Sequence, residues 1–121
     1  MPAESAYATA KELLSVKPRP TAVICTNQRV LFALLRAVHE AKLSYPSELS
    51  IVTFDDSPWN EYVRPTLTTV VQPIYEMGRC AFNMLLARMR PDLNEKPPTP
   101  EGIKLLQAEL KIRESTAEPY E

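Results

Sequence analysis

Residues 21–26, TAVICT, form a compact apolar run set off by Pro20, which predicts a strand covered on both faces. From residue 28 the period changes. Leu31, Leu34, Leu35 and Val38 fall at i, i+3, i+4 and i+7, one face of a helix over 28–41. A second apolar run, LSIVTF at 49–54, follows Tyr45-Pro46 and predicts another strand. Strand, helix and strand joined by short connections make a βαβ unit, with the two strands parallel and the crossover right-handed. A third run, LTTVV at 67–71, leads to Pro73, suited to the first turn of a helix that carries Ile74, Met77, Ala81 and Leu85 on one face and stops before Pro91. Upstream, the spacing of Ala6, Ala10, Leu13 and Leu14 predicts a short surface helix over 5–15. Residues 91–102, PDLNEKPPTPEG, are too proline-rich for regular structure and read as a connector. Beyond them Leu106, Ala108, Leu110 and Ile112 alternate with Gln107, Glu109, Lys111 and Arg113, a final strand with one wet face, and STAEPYE reads as a frayed tail. The fold class is therefore α/β with a mainly parallel sheet.

Composition narrows the function more than the fold. The chain has 121 residues, 45% of them hydrophobic and 24% charged, the size and balance of one ordinary domain. Its net charge is -1 and its bases are scattered, so by itself it lacks the cationic patch that neutralises a run of phosphates. No segment approaches the roughly 18 apolar residues of a membrane span. MPAESAYATAKELL lacks the charged and apolar regions of an export signal, which places the product in the cytoplasm. Cys25 falls in a predicted strand and Cys80 in a predicted helix; with no C-x-x-C pair and one histidine, no zinc site can be written, and both cysteines read as small core residues in a reducing compartment. Two glycines, Gly78 and Gly102, cannot furnish a phosphate-cradling loop or a serine elbow. His39 sits mid-helix near Phe32 and Leu35, as a packed or interface histidine would. No nucleophile or facing acid/base pair can be assembled, and neither an enzyme nor a cofactor or metal is implied.

In an open α/β sheet ligands bind outside the carboxyl ends of the strands, where loops and helix N-termini converge. The residues that follow the three parallel strands are Asn27, then Asp55 and Asp56, then Gln72. Neutral amides beside a carboxylate offer donors and acceptors together, which suits a sugar, another polyol or a nucleobase edge. Asn27 and Asp56 also have a sufficient structural explanation as a helix cap and a turn residue. Asp55 has none, since Asp56 alone could serve the turn; Gln72, before a proline, reads equally as a surface residue. Trp59 and Tyr62, in the loop beyond, could stack on a ligand or partner, or simply pack.

Several of these motifs together form a family pattern. Phe54-Asp55-Asp56, the stretch from Pro65 to Pro73 with Leu-Thr-Thr-Val inside it, Met77-Gly78 and Arg113-Glu114-Ser115-Thr116 resemble the C-terminal half of the effector domain in bacterial transcriptional regulators of the lactose-repressor/galactose-repressor (LacI) family. The resemblance covers nearly the whole chain. It implies a periplasmic-binding-protein-like type I effector domain in which two α/β subdomains close on a small molecule, often a sugar or a nucleobase, and alter the operator affinity of an N-terminal helix-turn-helix. That headpiece and the first half of the effector domain are not in this sequence, so residues 1–121 correspond to the C-terminal, sensing and dimerising part, and operator DNA would be reached only through the missing N-terminal domain. The resemblance carries effector contact onto Asn27, Asp55 and Gln72. A sugar-binding protein of a transport system shares the fold and is the alternative reading. The sequence departs from the family pattern at Gln28, where an acidic residue is usual, and at Lys42 and Thr53, where glycines are usual.

The same resemblance implies a homodimer, with the helix over 28–41 and the loop beyond the aspartates at the interface. Phe32, Leu35, Tyr62 and Val63 are the expected interface residues. The helix itself points that way, because Val30, Phe32, Ala33 and Ala37 leave it apolar around much of its circumference. The final strand, without its natural sheet neighbours, is expected to offer a second copy a bare edge or an apolar face.

Overall fold

The computed structural model describes residues 3–89 and 103–119. They fall into two compact units, one running to Val71 and resuming at Glu109, the other spanning Gln72–Ala108.

The first unit holds α1 (Ala3–Ser15), β1 (Ala22–Cys25), α2 (Gln28–Glu40), β2 (Ser50–Phe54), a 3-10 turn (Pro58–Glu61), β3 (Thr68–Val71) and β4 (Glu109–Lys111). Its sheet runs in the order β1-β2-β3-β4. β1, β2 and β3 pair in parallel, as the strand–helix–strand pattern requires, and β4 closes the sheet antiparallel to β3. The register sets Cys25 beside Thr53 and Thr53 beside Thr69, one continuous row on the face that α2 covers. Under that helix Leu31, Leu34, Ala37 and Val38 meet Cys25, Leu49, Ile51 and Leu67 in one apolar cluster. Each fully buried Leu or Ile there contributes about 1.5–3 kcal/mol of transfer free energy.

β1 is covered on one face only within this unit, not on both as its apolar run suggested. Its alternate residue Ile24, on the face away from α2, is 64% exposed. The second apolar side of α2 is used internally. Ala33 and Ala37 are buried, and α1 packs over α2 with its own buried Ala6 and Ala10. The helix expected at the surface is thus a structural layer. Three side chains latch it. The Tyr7 hydroxyl donates to the Glu40 carboxylate, Arg36 lies 4.1 Å over the Tyr7 ring, and Arg36 Nε donates to Glu40 Oε1 at 3.0 Å.

Further expectations fail at the C-terminal end. β4 covers Glu109–Lys111, not the whole stretch to Ile112, and it has a neighbour in β3, although it is still an edge strand of the described sheet and offers the expected exposed apolar residues. Its wet and dry sides are exchanged: Leu110 and Ile112 are exposed, while Lys111 and Arg113 turn toward carboxylates of the unit. Nor is the start of the tail frayed, though residues 120 and 121 lie outside the described residues. Ser115 is fully buried, donating from its hydroxyl to the Ile51 carbonyl and accepting the Thr68 N–H at 2.8 Å. The Ala117 N–H reaches Ser50 Oγ at 3.1 Å.

In the second unit α3 (Ile74–Met89) begins directly after Pro73, whose carbonyl accepts the Met77 N–H at 2.9 Å. Ile74, Met77, Ala81 and Leu85 keep helical spacing, and none of the described side chains of α3 is buried. The proline-rich stretch 91–102 lies outside the described residues. Among those residues no helix is long and apolar enough to cross a membrane, and no cluster of His, Cys, Asp and Glu is grouped to hold a metal.

Candidate functional site

β1 and β2 lie side by side with Cys25 opposite Thr53, so Asn27 and Asp55, each two residues further on, leave adjacent strands at the same end of the sheet. The two residues serve different local tasks. Asn27 has extended backbone, φ -161° and ψ 164°, and caps α2 by accepting the Val30 N–H on Oδ1 at 3.0 Å. The cap uses the oxygen and leaves the amide nitrogen as the group that can meet a ligand. Asn27 borders a hollow of about 370 Å³ with Ala6, Arg29 and Val30. Asp55 is not among the residues that line it.

Asp55 has φ 69°, the left-handed region that L-residues enter at a cost and that Asp tolerates better than most. The backbone around it accounts for this. Its N–H donates to the Val70 carbonyl at 3.0 Å, extending the β2–β3 ladder by one residue. Its carbonyl then accepts the Ser57 N–H at 3.0 Å and Asn60 Nδ2 at 3.1 Å. The chain is thereby turned out of the sheet at the residue whose carboxylate the strand-end argument selects. Gln72, next after β3, opens the second unit, where its carbonyl accepts the Ile74 N–H at 2.9 Å.

The turn expected of Asp56 falls to Asp55, whose φ is positive, and Asp56 is instead paired with two cations. Lys111 Nζ lies 2.7 Å from its Oδ2, and Arg113 Nη2 lies 2.9 Å from Oδ1. Burial pushes the Asp56 carboxyl up, but the hydrogen bonds and charges of Lys111 and Arg113 outweigh it and hold the group below the usual carboxylate range. The partners on β4 were not legible, because Lys111 and Arg113 sat on the side of the alternation read as wet.

Asn60 was missed altogether. It is fully buried, and besides its bond to Asp55 it donates its N–H to the Ser57 carbonyl at 2.9 Å and accepts the Leu67 N–H at 3.0 Å. An Asn in a loop reads as a turn former, and only the fold shows it enclosed. Of the expected interface residues, Phe32 and Tyr62 are exposed, whereas Leu35 and Val63 are half-buried and pack against the core cluster. Phe32 stacks on Trp59 with ring centroids 4.8 Å apart, so ordinary packing explains Trp59. Cys25 is fully buried and its thiol is pushed up to about 11 by that burial, which makes it an unreactive core residue.

Comparison with known proteins identifies the family. Residues 1–116 match the family described as periplasmic binding protein-like domain. The chain is 40% identical over 86 residues to the transcriptional repressor PurR of Proteus mirabilis, an alignment covering 71% of this chain and 25% of that protein. It is 34% identical over 86 residues to the lactose operon repressor of Rhizobium radiobacter, covering 71% of this chain and 76% of that protein. Among solved structures, a LacI family transcriptional regulator from Enterococcus faecium with bound ribose matches at a TM-score of 0.76 and 33% identity, covering 98% of this chain and 41% of that one. The complex of the transcriptional regulator CelR with cellobiose matches at a TM-score of 0.76 and 30% identity, covering 93% and 33%. The chain spans a quarter to a third of the length of the first PurR repressors it matches. These relatives are repressors and regulators, not enzymes. The family match over residues 1–116, the repressor relatives and the similar solved structures lead to one conclusion: this chain belongs to the LacI family of transcriptional regulators, as part of its periplasmic-binding-protein-like effector domain.

Proposed function

We propose that this chain is the effector-sensing and dimerising portion of a cytoplasmic DNA-binding regulator, that its effector is a small sugar or nucleobase, and that operator DNA is bound by a helix-turn-helix elsewhere in the intact protein. Asn27, Asp55 and Gln72 are the proposed effector contacts, with Phe32, Leu35, Tyr62 and Val63 at the subunit interface. The observation that carries the reading is the way the backbone turns at 55, at the carboxyl end of β2. Asp56 is committed to Lys111 and Arg113, while Asp55 is turned out of the strand end by its own backbone bonds. A carboxylate there can accept two ligand hydroxyls, and the Asn27 amide can donate to a third oxygen. The repressor relatives and the ribose- and cellobiose-bound regulators favour this over a transport protein of the same fold.

The test is a thermal-shift screen of the intact protein against sugars and nucleobases, followed by titration of the best binder into Asp55→Asn and Asp56→Asn. Losing a charge-assisted bond should weaken binding about ten-fold or more at Asp55, from a cost of roughly 1.5–3 kcal/mol. Asp56→Asn should lower stability and leave affinity nearly intact. Equal losses, or a larger one at Asp56, would defeat the assignment.

A further inference from the structure

The left-handed backbone of Asp55 is held from both sides by groups that the effector reading does not use. Val70 takes its N–H and Ser57 reaches its carbonyl through main-chain atoms, which any sequence would supply. The bond from Asn60 Nδ2, by contrast, depends on a side chain and so on the sequence. Asn60 sits at 0% exposure, a costly place for an amide, and the cost is not repaid in full: its Oδ1 is buried with no hydrogen-bond partner. If stability alone decided this position, an apolar side chain of similar volume would serve better. It would remove the orphaned oxygen and leave the Asp55 carbonyl still bonded to the Ser57 N–H. What such a residue could not do is hold that carbonyl from within the 3-10 turn, and rotation of the carbonyl changes the direction in which the Asp55 side chain leaves the strand end.

We propose that Asn60 is a positioning residue for effector recognition: through its bond to the Asp55 carbonyl it keeps Asp55 in the left-handed conformation that aims the carboxylate at the ligand. Asn60 does not itself touch the ligand. Its backbone adds leverage, since the same residue is tied to Ser57 and to Leu67 at the entrance to β3. The inference rests on the assignment of Asp55 as an effector contact.

Asn60→Leu keeps the volume and removes the donor; Asn60→Ala removes the donor and leaves a small cavity. In the ligand-free intact protein, the short intraresidue HN–Hα distance that marks positive φ should be strong for Asp55 in the parent by NMR and weak in both variants. Persistence of that signal in both variants overturns the inference, whatever binds. Ribose, cellobiose, adenine and guanine are then titrated into the parent, Asn60→Leu, Asp55→Ala and the double variant. The expected result is a roughly ten-fold loss for Asn60→Leu that disappears in the Asp55→Ala background, with the melting temperature of Asn60→Leu unchanged or raised. Losses that simply add would overturn the inference, as would a drop in melting temperature with unchanged affinity. Full affinity in Asp55→Ala, or no binding of any of the four by the parent, counts instead against the effector assignment, and the NMR measurement still decides the role of Asn60.

Discussion

Arg113 holds Asp56 through a single nitrogen, Nη2, at 2.9 Å from Oδ1 and 3.1 Å from Oδ2. The same guanidinium bonds Glu61 Oε1 at 3.0 Å and, through Nη1, the Leu67 carbonyl at 2.8 Å. One residue just beyond β4 thus ties together the exit of β2, the 3-10 turn and the entrance of β3. Both side chains are largely enclosed, 12% and 15% exposed, so removing the cation leaves Asp56 short of its main partner in a partly desolvated place. Arg113→Met should lower unfolding free energy by about 3 kcal/mol. Arg113→Lys should recover only part of that, because an ammonium cannot reach so many acceptors. Lys111, 42% exposed, is screened by water, and Lys111→Met should cost far less than the change at 113. Urea unfolding of the three variants checks the order; equal costs at 111 and 113 would contradict it.

Acid should expose the same network. Asp56 is held below its ordinary value by Lys111 and Arg113 against the upward push of burial, and Glu114 is held low by the Thr66 N–H and then the Thr66 hydroxyl. A carboxyl whose folded pKa is depressed contributes stability that is fully present above its unfolded value, about 4, and is lost as pH falls through the folded value. Unfolding free energy should therefore be flat from neutral pH to about 5 and fall below about 4. In Asp56→Asn the protein should be weaker at neutral pH and its acid decline shallower. An unchanged slope would show that other carboxylates govern acid unfolding.

Lys42 stands where the family pattern has a glycine, and the structure supplies the reason a glycine suits the place. The residue has φ 54°, its N–H bonds the His39 carbonyl at 3.0 Å, and the Leu43 N–H bonds Val38 at 3.0 Å. These are the paired bonds of a Schellman ending, which puts a left-handed residue just after the helix. A lysine pays for that conformation with roughly 1 kcal/mol or more. Lys42→Gly should raise unfolding free energy by about 0.5–1 kcal/mol, net of the entropy that glycine adds to the unfolded chain. A loss of stability would mean that the lysine side chain makes up for its backbone.

The alternation of period two and period 3.6 marks α2, β2 and β3 closely, because their apolar residues answer to a single core made within about fifty residues of chain. β4 defeated it. A three-residue strand at a sheet edge has too few alternations to define a face, and the sides of Lys111 and Arg113 are set by a carboxylate more than fifty positions away. Asn27 and Asp55 follow from topology, since they need only the strand ends. Asp56 and Asn60 do not, because a salt-bridge partner and a buried amide are facts of tertiary packing. Ser115 is the same case: its burial depends on the carbonyl of Ile51 and the N–H of Thr68, which the pattern of its own segment says nothing about.

Self-association is the remaining expectation, and the structure narrows its basis. Ala33 and Ala37 do not call for a partner, because α1 already covers them. What is left on that side of the unit is Phe32, 53% exposed although it stacks on Trp59, and Tyr62, 78% exposed on the adjoining turn. A large apolar ring held rigid by a neighbour loses little entropy when it is covered, which makes Phe32 the strongest anchor for a second copy. Homo-oligomers are most often two-fold, so Phe32 of one copy should lie near its counterpart, with Leu35, Tyr62 and Val63 around the pair. Light scattering should give a dimer for the parent and a monomer for Phe32→Glu, which sets two like charges against each other at the axis. The loss of the Trp59 stack alone, about 0.5–1.5 kcal/mol, should not unfold the chain. Phe32→Leu separates the two effects: it breaks the stack but keeps an apolar anchor, and should weaken the dimer without abolishing it. A monomeric parent, or a Phe32→Glu dimer of unchanged affinity, would exclude α2 from the interface.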